Sequence, residues 1–292
     1  MPSIHTIGVL GAGQMGNGIA HVAAQAGYEV LLHDIDRAIV ERALETIGAN
    51  MAREVNRGKI DEAARTAALA RIRGETALEA LGTAELVIEA APENPALKAD
   101  LYARLAPHLK ADSILASNTS SISITWLGAQ TPFPERVVGM HFFNPVPVME
   151  LVELIRGMAT SDATHAAVRT VAERMGRRPV ESRDAPGFIA NRILVPMLNE
   201  AIFALHEGVG GVADIDAAIR LGLRHPMGPL TLADYIGLDT LLAIARVLHE
   251  GLGDPKYRPC PLLVRLVDAG WLGVKSGRGF YDYGTDPPTP AL

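Results

Sequence analysis

The sequence has few of the residues that stabilise small secreted proteins or bind nucleic acids. It contains a single cysteine, Cys260, so no disulfide can form within the chain, and we expect that thiol to pack in a core. Lys and Arg number 27 against 33 Asp and Glu, and the resulting net charge of -6 does not favour a nucleic-acid partner. We also predict no metal site.

Long apolar runs are absent as well. No run approaches the roughly 18 residues of a membrane helix, so we expect no membrane partner. The opening segment, MPSIHTIGVLGAG, lacks the charged start, apolar stretch and cleavage site of a secretion signal, which favours a cytoplasmic location. The chain has 48% hydrophobic and 21% charged residues, which is typical of a folded protein. Its length of 292 residues is typical of two domains.

Apolar runs and helical spacing alternate over the first part of the chain. A buried strand is predicted over residues 4–10, a helix over 15–26 and a second strand over 28–33, which together form a βαβ unit. Further strands are expected over 72–76, 85–90, 113–117 and 137–141, followed by one that contains Glu153. This alternation predicts an α/β fold with a Rossmann-type doubly wound sheet.

Two departures from the alternation indicate the domain organisation. An unusually long crossover follows the second strand and is predicted to be a helical hairpin over residues 37–71. After Asp184 the chain changes to amphipathic helices, so we predict a sheet-containing domain over residues 1–186 and an all-helical C-terminal domain over 187–292. The last residues, around Thr289, are expected to fray.

A G-x-G-x-x-G pattern, formed by Gly11, Gly13 and Gly16, lies between the first predicted strand and the helix that follows it. In a dinucleotide site the first glycine permits a tight turn, the second lets the backbone approach a pyrophosphate, and the third allows close helix packing. The helix N-terminus then faces the negative charge. We therefore predict a dinucleotide site that includes Gln14 and Met15; a glycine turn without a ligand is the alternative.

Asp34 ends the second predicted strand, at the spacing where an acidic side chain binds a ribose 2′-hydroxyl and repels a 2′-phosphate. The predicted cofactor is therefore NAD rather than NADP. The nearby Arg37 would weaken that repulsion, so NADP stays open as an alternative.

Polar side chains near two strand ends indicate the chemistry. Removing a hydride from a carbinol carbon requires a neutral base for the hydroxyl proton, and histidine suits that role. His141 ends a strand at the sheet edge where ligands bind in open α/β folds. Glu153 in the next strand could fix its tautomer and stabilise its protonated form, although an outward-facing Glu153 is equally compatible with the pattern.

Ser120 and Asn191 complete the candidate catalytic set. The Ser120 hydroxyl could bridge substrate and cofactor, and the Asn191 amide could donate to a carbonyl or alkoxide oxygen. Both residues also suit ordinary local structure, Ser120 in a turn or helix cap and Asn191 as a helix cap. These alternatives stay open.

Several stretches together resemble the L-3-hydroxyacyl-CoA dehydrogenase family, and in particular its bacterial short-chain branch, along nearly the whole chain. They are GAGQMGNGIA, LVIEAAPE, ILASNTSSISIT, GMHFFNPVPVMELVE, DAPGFIANRILVPMLNEA, HPMGPL and AGWLGVKSGRGFYDY. The resemblance implies NAD-dependent, reversible oxidation of a short-chain L-3-hydroxyacyl-CoA to the 3-oxoacyl-CoA. It also implies a homodimer formed through the C-terminal domain.

The resemblance implies roles for individual residues. His141 would be the base and Glu153 its partner, with Ser120 and Asn191 contacting the reacting oxygen and the thioester region. Asp34 would bind the adenosine ribose. The remaining cofactor contacts implied are Glu93, Lys98, Asn118, Ser120, Asn144 and Lys275.

The helical hairpin is implied to hold coenzyme A. Residues 51–73 carry six basic and three acidic side chains, which suits an anionic group, and Arg53, Arg57 and Lys59 are the candidate phosphate ligands. A solvated helix face is the alternative. Ala52 stands where relatives often carry serine, so one expected hydroxyl contact is absent.

Two other functions stay open. The same fold could oxidise a free hydroxy acid of the sugar-acid or carnitine type, or it could bind NAD without catalysis. The basic hairpin argues against the first, because a free acid needs no extended surface for coenzyme A. The four candidate catalytic residues argue against the second.

Overall fold

The computed structural model describes residues 4–292. Residues 1–3, which begin the segment predicted to carry no secretion signal, lie outside the described part of the chain. The polypeptide forms two compact units, the first ending at Ala185 and the second beginning at Pro186. Among residues 4–292, no helix combines the length and the apolar character needed to cross a bilayer.

The first unit contains eight strands and six α-helices. The strands are β1 (Thr6–Leu10), β2 (Glu29–His33), β3 (Ile72–Glu75), β4 (Leu86–Glu89), β5 (Ile114–Ser117), β6 (Val137–Phe142), β7 (Leu151–Arg156) and β8 (Arg178–Arg183). The helices are α1 (Gln14–Gln25), α2 (Arg37–Asn56), α3 (Glu62–Ala70), α4 (Pro95–Leu105), α5 (Ile124–Gly128) and α6 (Asp162–Arg174). Short 3₁₀ helices cover Leu78–Thr83, Ala106–His108 and Pro134–Arg136.

The eight strands form one sheet in the order β3-β2-β1-β4-β5-β6-β7-β8. Neighbouring strands are parallel except β6 and β7, which are antiparallel. The chain runs outward from β1 to one edge and then from β4 to the other, which is the doubly wound arrangement. The predicted fold class is confirmed, and the carboxyl ends of β1, β4, β5 and β6 share one edge of the sheet.

Burial differs sharply between the inner strands of the sheet and its last strand, β8. All four residues of β4 and of β5 are buried, as expected for inner strands covered on both faces, and their apolar runs are visible in the sequence. In β8, by contrast, only Ser182 is buried, and no apolar run marks the strand. The sequence therefore does not predict β8. The preceding α6 is not predicted either, although its buried residues follow helical spacing.

The predicted hairpin is present as α2 and α3. α2 begins after Asp36 and α3 after Asp61, and each aspartate accepts a hydrogen bond from a backbone amide in the first turn of its helix. The buried side of α2 packs into the same core as the sheet through Val40, Ala43, Ile47 and Met51. These residues follow helical spacing, so the hairpin is anchored to the sheet along one face.

The second unit is built from five α-helices around its own core. They are α7 (Ala190–His206), α8 (Val212–Gly222), α9 (Pro229–Ile236), α10 (Leu238–Leu252) and α11 (Pro261–Asp268), with 3₁₀ helices at Pro255–Tyr257 and Val274–Ser276. Cys260 is fully buried in this core, which suits the packing role expected for it.

The end of the chain corrects one expectation. β9 (Tyr281–Asp282) pairs with the antiparallel β10 (Thr289–Pro290), and the amide of Ala291 donates to the carbonyl of Phe280 at 2.9 Å. The predicted fraying around Thr289 is therefore wrong, and the second unit is helical with one short strand pair rather than all-helical. Hydrogen bonds hold this tail, and the hydrophobic pattern does not reveal them.

Candidate active site

The glycine pattern forms a tight turn between β1 and α1. Gly11 has a φ of +102°, and a Cβ atom added at Gly16 would lie 1.7 Å from the carbonyl oxygen of Gly11. The helix can therefore approach the turn this closely only with glycine at position 16. A Cβ at Gly13 would meet no atom within 4 Å, so the backbone there borders open space, as the predicted approach of a pyrophosphate requires. Gln14 and Met15 begin α1 beside this space.

Asp34 follows β2 and is tied to the glycine turn. Its Oδ2 accepts a hydrogen bond from the amide of Ala12 at 2.9 Å. The preceding His33 is buried, and burial lowers its pKa, although the neighbouring carboxylates act in the opposite direction. The ribose-binding carboxylate predicted from the sequence thus stands at the same sheet edge as the turn.

His141 and Glu153 face each other across β6 and β7. They are directly opposed in the antiparallel register, and His141 Nδ1 lies 2.7 Å from Glu153 Oε2. Glu153 is fully buried and His141 is 7% exposed. Glu153 is therefore not the outward-facing side chain that the sequence left open. An ionised carboxylate only accepts hydrogen bonds, so a charged Glu153 would select the tautomer with the hydrogen on Nδ1 and the lone pair on Nε2.

Residues next to His141 fix the end of β6. The ring of Phe143 packs against the imidazole, with the ring centroids 4.5 Å apart. Asn118, which follows β5, accepts a hydrogen bond from the amide of Phe142 at 2.9 Å through Oδ1. Asn144, another predicted cofactor contact, is exposed just beyond β6. The contact made by Asn118 joins the two strand ends that carry the candidate site.

Ser120 lies in a loop held by one carboxylate. Glu93 Oε1 accepts hydrogen bonds from Thr119 Oγ1 at 2.6 Å, from the amides of Ser120 and Ser121 at 3.0 and 3.1 Å, and from Ser121 Oγ at 2.9 Å. Burial alone would raise the pKa of Glu93, but the Lys98 ammonium and these donors outweigh it and lower that pKa. Glu93 is thus held as a carboxylate under the loop.

Local structure excludes a helix-capping role for Ser120 and for Asn191. The side-chain cap of α5 is Ser123, which accepts from the amide of Trp126, so Ser120 does not cap that helix. Ile189 is the N-cap residue of α7, and Asn191 lies in the first turn of that helix, where it is 8% exposed. Asn191 is therefore not a helix cap.

The remaining predicted residues lie on the hairpin, under the sheet edge and in the second unit. Arg53, Arg57 and Lys59 are exposed at the end of α2 and in the turn after it. Lys98 is buried, with Nζ 2.5 Å from Glu89 Oε1. Lys275 belongs to the second unit and donates to an Asp239 oxygen at 2.7 Å.

Sequence reasoning missed Glu89 and Thr119, both buried in the set of contacts below the Ser120 loop. A signal for Glu89 was present in the sequence, because a carboxylate ends the apolar run LVIE. Buried carboxylates require partners, and such a position therefore indicates a polar network. Thr119 has no comparable signal within a run of serines and threonines.

Comparison with known families gives two matches that together cover most of the chain. Residues 6–185 match the family described as 3-hydroxyacyl-CoA dehydrogenase, NAD binding domain. Residues 187–283 match the family described as 3-hydroxyacyl-CoA dehydrogenase, C-terminal domain. The two matches follow each other in the order of the two compact units.

Individual relatives agree with these matches. The chain is 56% identical to a 3-hydroxybutyryl-CoA dehydrogenase of Bradyrhizobium diazoefficiens over 287 residues, 98% of each chain. It is 52% identical to a probable 3-hydroxybutyryl-CoA dehydrogenase of Bacillus subtilis over 96% of this chain and 98% of the relative. Among solved structures, an (S)-3-hydroxybutyryl-CoA dehydrogenase from Ralstonia eutropha has a TM-score of 0.95 at 49% identity, covering 97% of this chain and 100% of that one.

Proposed function

The chain belongs to the 3-hydroxyacyl-CoA dehydrogenase family, and from this premise we propose that it oxidises short-chain L-3-hydroxyacyl-CoA reversibly to 3-oxoacyl-CoA with NAD. The favoured substrate is 3-hydroxybutyryl-CoA, because the similar proteins of Bradyrhizobium and Ralstonia carry that name. The observation that supports the chemistry most is the 2.7 Å contact between His141 and Glu153. It stands at the sheet edge that also carries the glycine turn.

The residues of the first unit suit NAD as the cofactor. The turn at Gly11 and the open space at Gly13 suit a pyrophosphate, and Asp34 suits a ribose hydroxyl. NAD, when bound, accepts the hydride that leaves C3 of the substrate. We assign the further cofactor contacts to Gln14, Met15, Gly16, Glu93, Lys98, Asn118, Asn144 and Lys275, on the strength of the family resemblance.

His141 moves the proton in this proposal. Its Nε2 takes the hydroxyl proton of the alcohol while the hydride leaves C3, and it returns that proton when the 3-oxo group is reduced. Glu153 holds the Nδ1 hydrogen and balances the positive charge that the imidazole gains. Ser120 orients the reacting oxygen. For Asn191 we propose a hydrogen bond to the substrate, supported by the resemblance.

Coenzyme A is assigned to the hairpin. Arg53, Arg57 and Lys59 are exposed and stand together in the sequence, so their charges are available to the phosphates of the ligand. Ala52 offers no hydroxyl, so the contact that serine would make at that position is absent from the proposed site.

A homodimer through the second unit is part of the proposal. Large apolar side chains are exposed there, including Ile193 at 66%, Val209 at 77% and Leu221 at 70%. Single exposed apolar side chains are common on protein surfaces, so the dimer is proposed on the strength of the family resemblance, and these side chains are its candidate contacts. A cytoplasmic location is proposed because the single cysteine is buried and needs no oxidising compartment.

Oxidation of NADH tests the proposed function directly. We expect rapid turnover with acetoacetyl-CoA and a rate at least about 100-fold lower with free acetoacetate, because binding energy from the non-reacting CoA part of the substrate contributes to catalysis. Assays with 3-oxoacyl-CoA esters of increasing chain length would define the acyl preference. Equal rates with acetoacetate and its CoA ester would instead support a dehydrogenase of free hydroxy acids.

A further inference from the structure

A cluster of buried polar side chains lies below the Ser120 loop, and among its members only Lys98 has been assigned a role above, as a cofactor contact. Glu89, at the carboxyl end of β4, is fully buried, as are Tyr102 on α4 and Ser117 at the end of β5. Lys98 on α4 is 1% exposed. We call these four residues the Glu89 network. A buried carboxylate and ammonium are costly unless they are paired and hydrogen-bonded, so their contacts define what the cluster holds in place.

Glu89 is the centre of this network. Its Oε1 accepts from Lys98 Nζ at 2.5 Å and from the amide of Ala91 at 2.6 Å. Its Oε2 accepts from Ser117 Oγ at 2.7 Å and from Tyr102 OH at 3.4 Å. Burial and the nearby Glu89 carboxylate raise the pKa of Tyr102, which keeps the phenol protonated as a donor. Both carboxylate oxygens are therefore occupied by donors.

The first connection from Glu89 to the loop passes through Lys98. The Lys98 ammonium lies between two carboxylates, 2.5 Å from Glu89 Oε1 and 3.5 Å from Glu93 Oε2. The other oxygen of Glu93 accepts from the amides of Ser120 and Ser121. Glu89 and Glu93 therefore share the Lys98 ammonium. This ammonium holds in position the Glu93 carboxylate, which binds the loop.

The second connection passes through Ser117. Its hydroxyl donates to Glu89 and accepts from the amide of Thr119 at 3.2 Å. Thr119 Oγ1 in turn donates to Glu93. Two short chains of contacts therefore start from the two oxygens of Glu89. The chain through Lys98 and Glu93 reaches Ser120 itself, whose amide and hydroxyl donate to Glu93 Oε1 at 3.0 and 3.3 Å, and the chain through Ser117 reaches Thr119.

We propose that Glu89 is a positioning residue for Ser120, acting through Lys98 and Glu93 on one side and through Ser117 and Thr119 on the other. The proposal rests on the function proposed above, in which Ser120 orients the reacting oxygen. Because Glu89 is fully buried, it acts only through these neighbours. A neutral amide at position 89 would leave Lys98 with Glu93 as its remaining carboxylate partner, and would draw Glu93 away from the loop amides.

The test compares Glu89→Gln in two backgrounds, the unmodified enzyme and Ser120→Ala, with acetoacetyl-CoA at saturating NADH. If Glu89 acts through Ser120, its replacement lowers kcat about 10-fold in the first background and less than about 2-fold in the second, because residues in one network are not additive. A role in general stability would lower kcat by the same factor in both backgrounds.

One control variant matches the substitution. Glu85→Gln removes a carboxylate that lies just before β4, at the opposite end of that strand from Glu89, and that contacts Lys110. This variant should leave kcat within about 2-fold of the unmodified enzyme, since it breaks no connection to Ser120.

A second substitution covers the case in which Glu89→Gln does not fold. Ser117→Ala leaves the buried charges in place and breaks one connection, so we expect kcat to fall about 3-fold in the unmodified background and not in Ser120→Ala. Equal factors in both backgrounds, for either substitution, would overturn the proposal. A lack of turnover in the unmodified enzyme would instead refute the proposed function, and the role of Glu89 with it.

Discussion

Two side chains that face each other across a strand pair carry the proposed chemistry. The contact between His141 and Glu153 depends on register, because successive residues of a strand point to opposite faces of the sheet. A shift of one residue in β7 would place Glu153 on the face away from His141. Strands β1 to β6 are parallel to one another, whereas β7 runs antiparallel to β6. This antiparallel pairing places His141 and Glu153 opposite each other.

Replacement of Glu153 tests the role of that carboxylate. Glu153→Gln keeps the shape but removes the charge that balances a protonated His141, so we expect kcat to fall by about 100-fold and the pH dependence of kcat to shift. Steady-state rates across pH measure both effects. Glu150→Gln, an exposed carboxylate just before the same strand, is the matched control. A pH profile that keeps its position in Glu153→Gln would argue against the pair.

Sequence patterns identified the residues at strand ends but not the partners below them. His141 and Ser120 follow apolar runs, so their positions at the sheet edge could be predicted from alternation alone. The contacts of Glu89 and Lys98 join β4, α4 and β5, and no spacing in the sequence reports which helix packs on which strand. Polar networks between elements therefore required the structure.

Among the helices, the hairpin is joined to the glycine-turn helix by a buried histidine. His21 on α1 is fully buried, and its Nε2 lies 3.4 Å from Glu54 Oε2 on α2. Burial lowers the pKa of His21, and the charge of Arg177 lowers it further, while Glu54 acts in the opposite direction. Folding therefore favours the neutral imidazole at this position.

The lowered pKa of His21 predicts how the stability of the fold depends on pH. The unfolded chain binds a proton at His21 near pH 6.5, whereas the folded protein resists it, so the free energy of unfolding falls as pH drops below about 6.5. His21→Gln should make this fall less steep by at most about 1.4 kcal/mol per pH unit, as measured by denaturant unfolding between pH 7 and 5. His108→Gln, a substitution at the surface, is the control. An equal change of slope in both variants would contradict the assignment.

Charge reversal on the hairpin tests its role in coenzyme A binding. Arg53→Glu combined with Lys59→Glu should raise KM for acetoacetyl-CoA about 10-fold and leave KM for the pantetheine ester nearly unchanged, because the truncated ester lacks the nucleotide phosphates. Arg42→Glu, exposed earlier on α2, is the control. Equal increases for both esters would remove the hairpin from the coenzyme A site.

Secondary structure could be predicted where hydrophobic periodicity is strong. Strands β1 to β6 and the hairpin helices lie close to their predicted positions. β8 is exposed along most of its length, and β10 is a strand of two residues that includes a proline. Neither strand therefore shows a hydrophobic pattern that predicts it. α4 begins at Pro95, where the missing amide hydrogen costs no helical bond.

For the protein as a whole, the predicted family and fold class are confirmed by matches along most of the chain. The motifs made this possible, because they are spread over both units. The cofactor contacts and the substrate contacts stay predictions, since they depend on where side chains meet a ligand. Composition and periodicity carry no information on that geometry.

The subunit arrangement makes a separate prediction. Ile193→Asp and Leu221→Asp place charges on exposed apolar positions of the second unit, so we expect the mass in solution to fall from dimer to monomer, because burying an unpaired charge opposes association. Light scattering after gel filtration measures it. Met158→Asp, at a residue of the first unit that is 92% exposed, is the control and should leave the dimer intact. A monomeric unmodified protein would contradict the proposal.

In the proposed reaction, the imidazole at position 141 moves the proton of the substrate hydroxyl. Turnover of acetoacetyl-CoA by His141→Gln, with NADH affinity and thermal stability measured on the same preparation, tests this role. We expect kcat to fall by about 10² to 10⁴-fold and NADH binding to be nearly unchanged. Near-normal turnover by this variant would show that His141 is not the base.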